Sequence, residues 1–404
     1  MVRVPGVLLV VGLACGAAAQ TRYEVDGKGS LKWYEFTGPP ALPCLYPTGP
    51  IIFGAAVSQA TPCFPLGAFG PPPPTVIGDI TDDMIKDLVY VTDGLSIAEY
   101  SAATGLQTNV MPGTIPGVLP LNGLGFDSKA SILWCTDGSV IFGVTPSAPG
   151  SCALPSLVAG PFPNLGLAAA TDVTWAPGMG VLFAIDELGG VTGYTPGGAL
   201  AVPTWLAAGL CTMGVPFVGI DADTATGCGG PPQAFNITNG KIVGRVGLFG
   251  APVATTFYDT ATCSPVPVIE TSGLAWAARP IHYGTGTGPL IGAKGQSVLP
   301  SPGFGLSLSG AAPGANAFLL VGLVPACPAL TLVGQPLYVF PLSAIIGPFT
   351  VTGGGTVTLP APLPSAGSSG APPCGLSVFM QWFVKPTSGP WKSSDGLELT
   401  FALP

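Results

Sequence analysis

Carboxylates are the main chemistry-bearing groups of this chain, and few of them stand where two could act together. Asp221-Ala222-Asp223-Thr224 sets oxygens at alternate positions, the spacing that calcium favours, but neither a third ligand nor the distal Glu of a helix-flanked calcium loop follows. Asp221 and Asp223 are therefore the metal candidates, calcium is the one cofactor the pattern admits, and a solvated turn is the plainer reading. Asp82-Asp83 and Asp186-Glu187 are adjacent carboxylates. Neighbours in a strand face opposite sides and do not easily share a proton, so turns between strands account for them better than acid–base chemistry. The single histidine, His282, has Arg279 and glycines nearby rather than an orienting carboxylate and a nucleophile, and reads as structural. No catalytic residue emerges.

Other chemistries are excluded more sharply. Between Lys294 and Lys385 there is no Asp, Glu, Lys, Arg or His, which removes general acid and base catalysis from that region apart from Tyr and Cys. Net charge is −8 with 12 basic residues in all, so no basic patch exists to attract nucleic acid or anionic lipid. Gly284-Thr285-Gly286-Thr287-Gly288 lacks the strand and helix of a phosphate loop and reads as a turn. The tract Gly70-Pro71-Pro72-Pro73-Pro74 is a stiff connector. Asn236-Ile237-Thr238 matches a glycosylation acceptor but falls in an expected strand.

The elements that must position these residues repeat. Apolar runs end at Asp93, Asp137, Asp186 and Asn239 in Thr-Asp-Gly or a close variant, 44, 49 and 53 positions apart, and a second apolar run follows. That period belongs to four-stranded propeller blades. Asp83, Asp127 and Ala176 each precede the turn residue by ten positions, whereas Asp221 precedes Asn239 by eighteen, an insertion around Cys228. Period-two alternation makes the runs strands, and Asp-Gly or Asn-Gly closes tight hairpins between them. Recurrence at every unit assigns Asp93, Asp137 and Asp186 to turn geometry, because an active site needs one constellation and a fold needs every blade. A fifth start, Gly273-Leu274-Ala275-Trp276, has no turn after it, and the segment from Val25 to Phe36 has the pattern of the missing outer strands. The ring is expected to close by pairing the two ends of the domain.

The blade signature resembles the NHL and lactonase-like group of β-propellers over residues 76 to 280. The resemblance implies the fold and assigns no activity. Lactonase-like propellers gather acidic, amide and sometimes His ligands around a central metal, and no such set is identifiable here. Residues 304–309, 317–323, 337–340, 349–359, 376–384 and 397–403 read as strands separated by Pro- and Gly-rich loops, as in a β-sandwich. Gly303-Phe304-Gly305-Leu306-Ser307-Leu308 and the closing Gln381-Trp382 with Leu397-Glu398-Leu399 resemble the C-terminal domain of uncharacterised secreted proteins from planctomycete-type bacteria, which brings no activity with it.

The expected organisation is all-β: a signal peptide at 1–19, a propeller of five or six blades at 20–282 and a β-sandwich at 283–404. The basic start and the apolar run Val7 to Ala14 favour cleavage before Gln20, with lipid attachment at Cys15 the weaker option. Ten cysteines fit an oxidising compartment. The simplest pairs are Cys44 with Cys63, Cys135 with Cys152, Cys211 with Cys228 and Cys327 with Cys374, with Cys263 left over and connectivity open. No transmembrane segment is expected in the mature chain. The favoured function is a secreted, non-catalytic binding or structural scaffold, the propeller for interaction with a protein or carbohydrate and the sandwich for attachment or export at the cell surface. Trp33, Tyr34 and Trp391 are the aromatics that could meet a sugar. A metal-dependent propeller hydrolase or lyase and a surface-layer or fibre subunit are the alternatives.

Overall fold

Alternating apolar residues with tight turns between them can bury both faces of a sheet only by stacking one small sheet on the next. The computed structural model describes residues 20–26, 31–36, 51–53, 79–92, 94, 96–101, 107–112, 121–149, 151, 153–206, 217–222, 235–238, 242–246, 248–250, 258–259, 271–277, 281–283, 286–373 and 376–402. Among them are five four-stranded antiparallel sheets. Blade 1 holds Asp79–Asp83, Leu88–Thr92, Ser96–Ser101 and Gln107–Pro112. Blade 2 holds Gly123–Asp127, Ile132–Thr136, Val140–Thr145 and Ser156–Pro163. Blade 3 holds Ala170–Ala176, Val181–Asp186, Gly190–Tyr194 and Leu200–Leu206. Blade 4 holds Gly219–Ala222, Phe235–Thr238, Ile242–Val246 and Tyr258–Asp259.

Blade 5 joins the two ends of the propeller. Thr271–Ala277 pairs with Gln20–Asp26, which pairs with Leu31–Phe36 and then Ile51–Phe53. The first strands of the blades neighbour one another in order, and that of blade 5 contacts those of blades 4 and 1, so five blades close the ring. The N-terminal segment thus completes the unit that Trp276 begins, as its pattern requires. In blade 4 the pairing of Gly219 with Thr238 matches Gly123 with Thr136, which sets Asp221 level with Thr81 and Thr174. Spacing had aligned Asp221 with Asp127; its true register lies two residues earlier, and the insertion is shorter by two.

The cores lie between consecutive blades. Tyr90, Leu124, Phe126 and Phe142 fill the space between blades 1 and 2, Trp134, Phe162, Val173 and Tyr194 that between 2 and 3, and Phe183, Trp205, Phe217 and Phe235 that between 3 and 4. Each such side chain stabilises by about 1.5–3 kcal/mol through burial.

C-terminal to the propeller lie a five-stranded and a three-stranded sheet. The first is ordered Ile281–Tyr283, Lys392–Thr400, Ser377–Lys385, Asn316–Gly322, Leu342–Thr350, and the second Leu290–Lys294, Gly305–Ser309, Val357–Pro360. They share one core, with Leu306 and Leu308 against Leu319, Trp382 and Leu397. A hairpin of Pro325–Leu332 and Gln335–Val339 lies beside it. The run 349–359, expected as one strand, is two: Thr352 accepts the amide of Thr356, and Gly355 takes a φ of +75°, turning the chain between them. No helix among the described residues is long and apolar enough to cross a membrane.

Candidate functional site

The recurrent turn residues bind their own backbone. Asp137 Oδ1 accepts the amides of Ser139 and Val140 at 2.8 and 2.9 Å, and Asp186 Oδ1 accepts those of Leu188 and Gly190. Thr136 accepts the amide of Gly138 and donates to the Val140 carbonyl, and Thr92 does the same with Gly94 and Ser96. Gly94 and Gly138 have φ of +85° and +95°, which a side chain would strain. Asp93 lies outside the described residues. At the opposite end of the blades, Asp83 Oδ1 accepts from Ile85 and Lys86, and Asp127 Oδ1 from Lys129 and Ala130. These carboxylates do the work of turns.

Two carboxylates do something else. Asp79 and Asp172 occupy equivalent positions on the first strands of blades 1 and 3, where blades 2 and 4 carry Gly123 and Gly219. Each reaches to the neighbouring blade: Asp79 Oδ2 accepts the amide of Leu124, and Asp172 Oδ2 that of Ile220 at 2.6 Å. Asp172 Oδ1 also accepts from Val173 at 2.6 Å. Glycine at 123 is required here, because a Cβ would strike the Asp172 backbone and stand 2.6 Å from its Oδ1. The two carboxyls are fully buried and lie within hydrogen-bonding reach of each other. Burial raises the pKa of both, and at Asp172 the neighbouring Asp79 charge raises it further. This pair was missed in the sequence because the aspartates stand 93 positions apart. Aligning the blades on their turns would have put both at one repeat position, with glycine between.

At the far end of the channel a concavity with about 340 Å³ of empty space, partly open to solvent, is lined by Thr81, Asp82, Ser128, Thr174, Trp175 and Asp221 among others. Thr174 donates to Asp221 Oδ1 at 3.3 Å and accepts the amide of Ala222. Asp82 accepts from Gln296 of the C-terminal unit at 2.9 Å, and Met84 packs with Val298 and Ala402 beside it. The C-terminal unit therefore abuts this mouth. Asp82 and Asp83 indeed serve different surroundings, one the contact with that unit and the other a turn.

Of the metal candidates, Asp221 lines the concavity and Asp223 lies outside the described residues. No group of three His, Cys, Asp or Glu able to hold a metal occurs among the described residues. Cys135 is a buried free thiol, its pKa pushed up by burial, and its expected partner Cys152 lies outside the described residues. The same is true of Cys44, Cys63, Cys211, Cys228 and Cys374, and of the side chain of Cys327. His282 lies on the strand Ile281–Tyr283, its backbone paired opposite Leu397, with its side chain outside the description. Trp391 packs against Phe318, ring centres 5.8 Å apart, with the Lys385 ammonium 5.8 Å from its ring. Among the aromatics that could meet a sugar, it is half-buried and already in contact.

No protein-family model matches the sequence, and no curated protein matches it. Two solved structures, described as the structure of U3-55K and the crystal structure of RRP9 WD40 repeats, align with 57% of this chain at 12% identity and a TM-score of 0.28. The alignments span 60% and 59% of those chains. So distant a likeness carries no inference; the propeller architecture rests on the strand pairing above.

Proposed function

We propose that this protein is a secreted, non-catalytic scaffold whose propeller engages a protein or carbohydrate and whose C-terminal unit attaches it to the cell surface or serves its export. One observation carries the reading: the carboxylates that recur through the propeller are held by backbone amides of turns or of the next blade, in roles that build the fold. The N-terminal apolar segment and cysteine usage support export, with disulfides such as Cys44 with Cys63 as part of the proposal. The partition into a leader at 1–19, a propeller at 20–282 and a C-terminal unit at 283–404 belongs to the same reading. Attachment is supported by the uncharged edge strand Leu342–Thr350, in which Ile345 and Ile346 are 61% and 41% exposed. Exposed apolar edges are sites where other chains or surfaces adhere.

The experiment is to express the full chain with its leader and measure its partition between cells and medium, beside Ile345→Lys/Ile346→Lys. Retention of the parent and release of the variant are expected. Equal release of both into the medium would refute attachment through this edge.

A second reading, a metal-dependent hydrolase or lyase, is favoured by one arrangement: Asp82 and Asp221 line the same concavity with the hydroxyls of Thr81, Ser128 and Thr174. Thermal unfolding with EDTA and then with calcium or zinc separates the two. A large metal-dependent shift in melting temperature would favour this reading, and its absence the scaffold.

A further inference from the structure

We propose that Asp79 and Asp172 hold a single proton between them and form a pH-sensitive latch at one end of the channel. With the proton in place, the pair ties blades 1 and 2 to blades 3 and 4. Its loss sets two negative charges against each other in a dry site.

The geometry requires the proton. Asp172 has an amide on each oxygen, from Val173 and Ile220, and Asp79 Oδ2 has the amide of Leu124. The Ile80 amide also lies by the Asp79 carboxyl, yet Oδ1 has no donor at hydrogen-bonding geometry, although the residue is fully buried. Two ionised carboxylates are both acceptors and cannot bond, so the hydrogen bond between them exists only if one is an acid. Asp172 is the better proton holder, because burial and the adjacent Asp79 charge both disfavour its ionised form. Among the described side chains no cation stands beside the pair. The strand Gln20–Asp26, which packs against Asp79–Asp83, carries Arg22, Tyr23, Glu24 and Asp26, and the paired strands Leu88–Thr92 and Val181–Asp186 carry Tyr90 and Asp186. The strands packed around the pair offer the thiol of Cys135, which feels the Asp79 charge, and Asp221 two positions further along. Gly123–Asp127 contributes only Asp127 at its far end, and Thr271–Ala277 has no titratable residue.

The sign follows from linkage. Burial holds Asp79 at about 7 in the folded chain, above the usual carboxylate value of about 3.9. Asp172 is raised further still, so Asp79 ionises first. As pH rises through about 7 the pair passes from two protons to the single one on Asp172, and the latch opens above that as Asp172 ionises. The stabilisation is full below about pH 4 and falls in these two steps. Asp79→Asn should remove the step near pH 7, since its amide NH₂ donates to Asp172 at every pH while its carbonyl still accepts from Leu124.

The test combines infrared spectroscopy with thermal unfolding. The parent should show the carbonyl stretch of a protonated carboxylic acid near neutral pH, lost in Asp79→Asn and retained in Asp83→Asn. Its melting temperature should fall by about 5 °C or more between about pH 5 and about pH 8 and fall further above it as Asp172 ionises, while Asp79→Asn stays flat over the first interval. Absence of the acid band in the parent, or an unchanged pH slope in Asp79→Asn, would overturn the latch. If Asp79→Asn does not fold, hydrogen exchange of the Leu124 and Ile220 amides in the parent decides. Acceleration beyond the intrinsic base-catalysed rise supports the latch, and the intrinsic rise alone refutes it.

Discussion

The propeller and the C-terminal unit solve the same problem, positioning strands, with opposite chemistry. In the propeller, aspartates and threonines at repeated positions bind turn amides, and the buried tryptophans only pack: Trp134 and Trp205 have no partner for their indole N–H. In the C-terminal unit, where no side chain between Lys294 and Lys385 is charged, neutral side chains make the main directional bonds, beside Asp395, which accepts the Ile291 amide. Trp382 donates its indole N–H to the Ser307 carbonyl at 3.1 Å, joining the two sheets across their core. Gln381, fully buried, donates to the carbonyls of Pro336 and Ser394 and accepts the amide of Tyr338, fixing the hairpin against the sheet. The repeated fold places short-range polar bonds at the turns of blades 1 to 3. The other unit depends on a few long-range bonds in an apolar setting, and each of them should matter more.

Replacing Trp382 by alanine tests that difference most severely. The cavity at the shared core should cost about 3–5 kcal/mol, read as a lower denaturant midpoint for the C-terminal unit. Gln381→Leu should cost about 2–3 kcal/mol by orphaning two carbonyls and an amide, a loss that hydrophobicity does not restore. A comparison of Trp382→Phe with Trp134→Phe is sharper: the former should cost about 1 kcal/mol more, because only Trp382 loses a hydrogen bond. Equal losses in equilibrium unfolding would dissolve the contrast. Gln296→Ala, which strips Asp82 of its amide partner at the contact between the units, should have the smallest effect, about 1 kcal/mol. It should show as separation of one calorimetric transition into two.

How much of this was legible depended on the range of the interaction. Asp137 and Asp186 declared themselves through Thr-Asp-Gly spacing because a turn closes on residues two to four positions away. Blade 5 was legible too, since the strands on either side of its long gap in sequence carry the blade pattern. The break at Thr352 was not: the run 349–359 stays apolar or neutral through its glycines, and only the turn geometry shows two strands. The strand Leu290–Lys294 and the hairpin at 325–339 were missed or only half seen, because without charges the polar-out half of the alternation has no marker. In blade 4 the long insertion shifted Asp221 by two residues, a change that keeps its face and so leaves the pattern undisturbed.

The sequence by itself determined that this chain is built of strands, that blades repeat in its N-terminal part and close through its first segment, and that charged chemistry is absent from the stretch between Lys294 and Lys385. All of these follow from local turn chemistry, period-two alternation and composition. Only the tertiary structure decided that Asp79 meets Asp172 over Gly123 and that Asp82 receives Gln296 from 214 residues away. Burial and mutual approach, which raise the pKa of an ordinary aspartate, are properties of the space between blades. No spacing along the chain encodes that space.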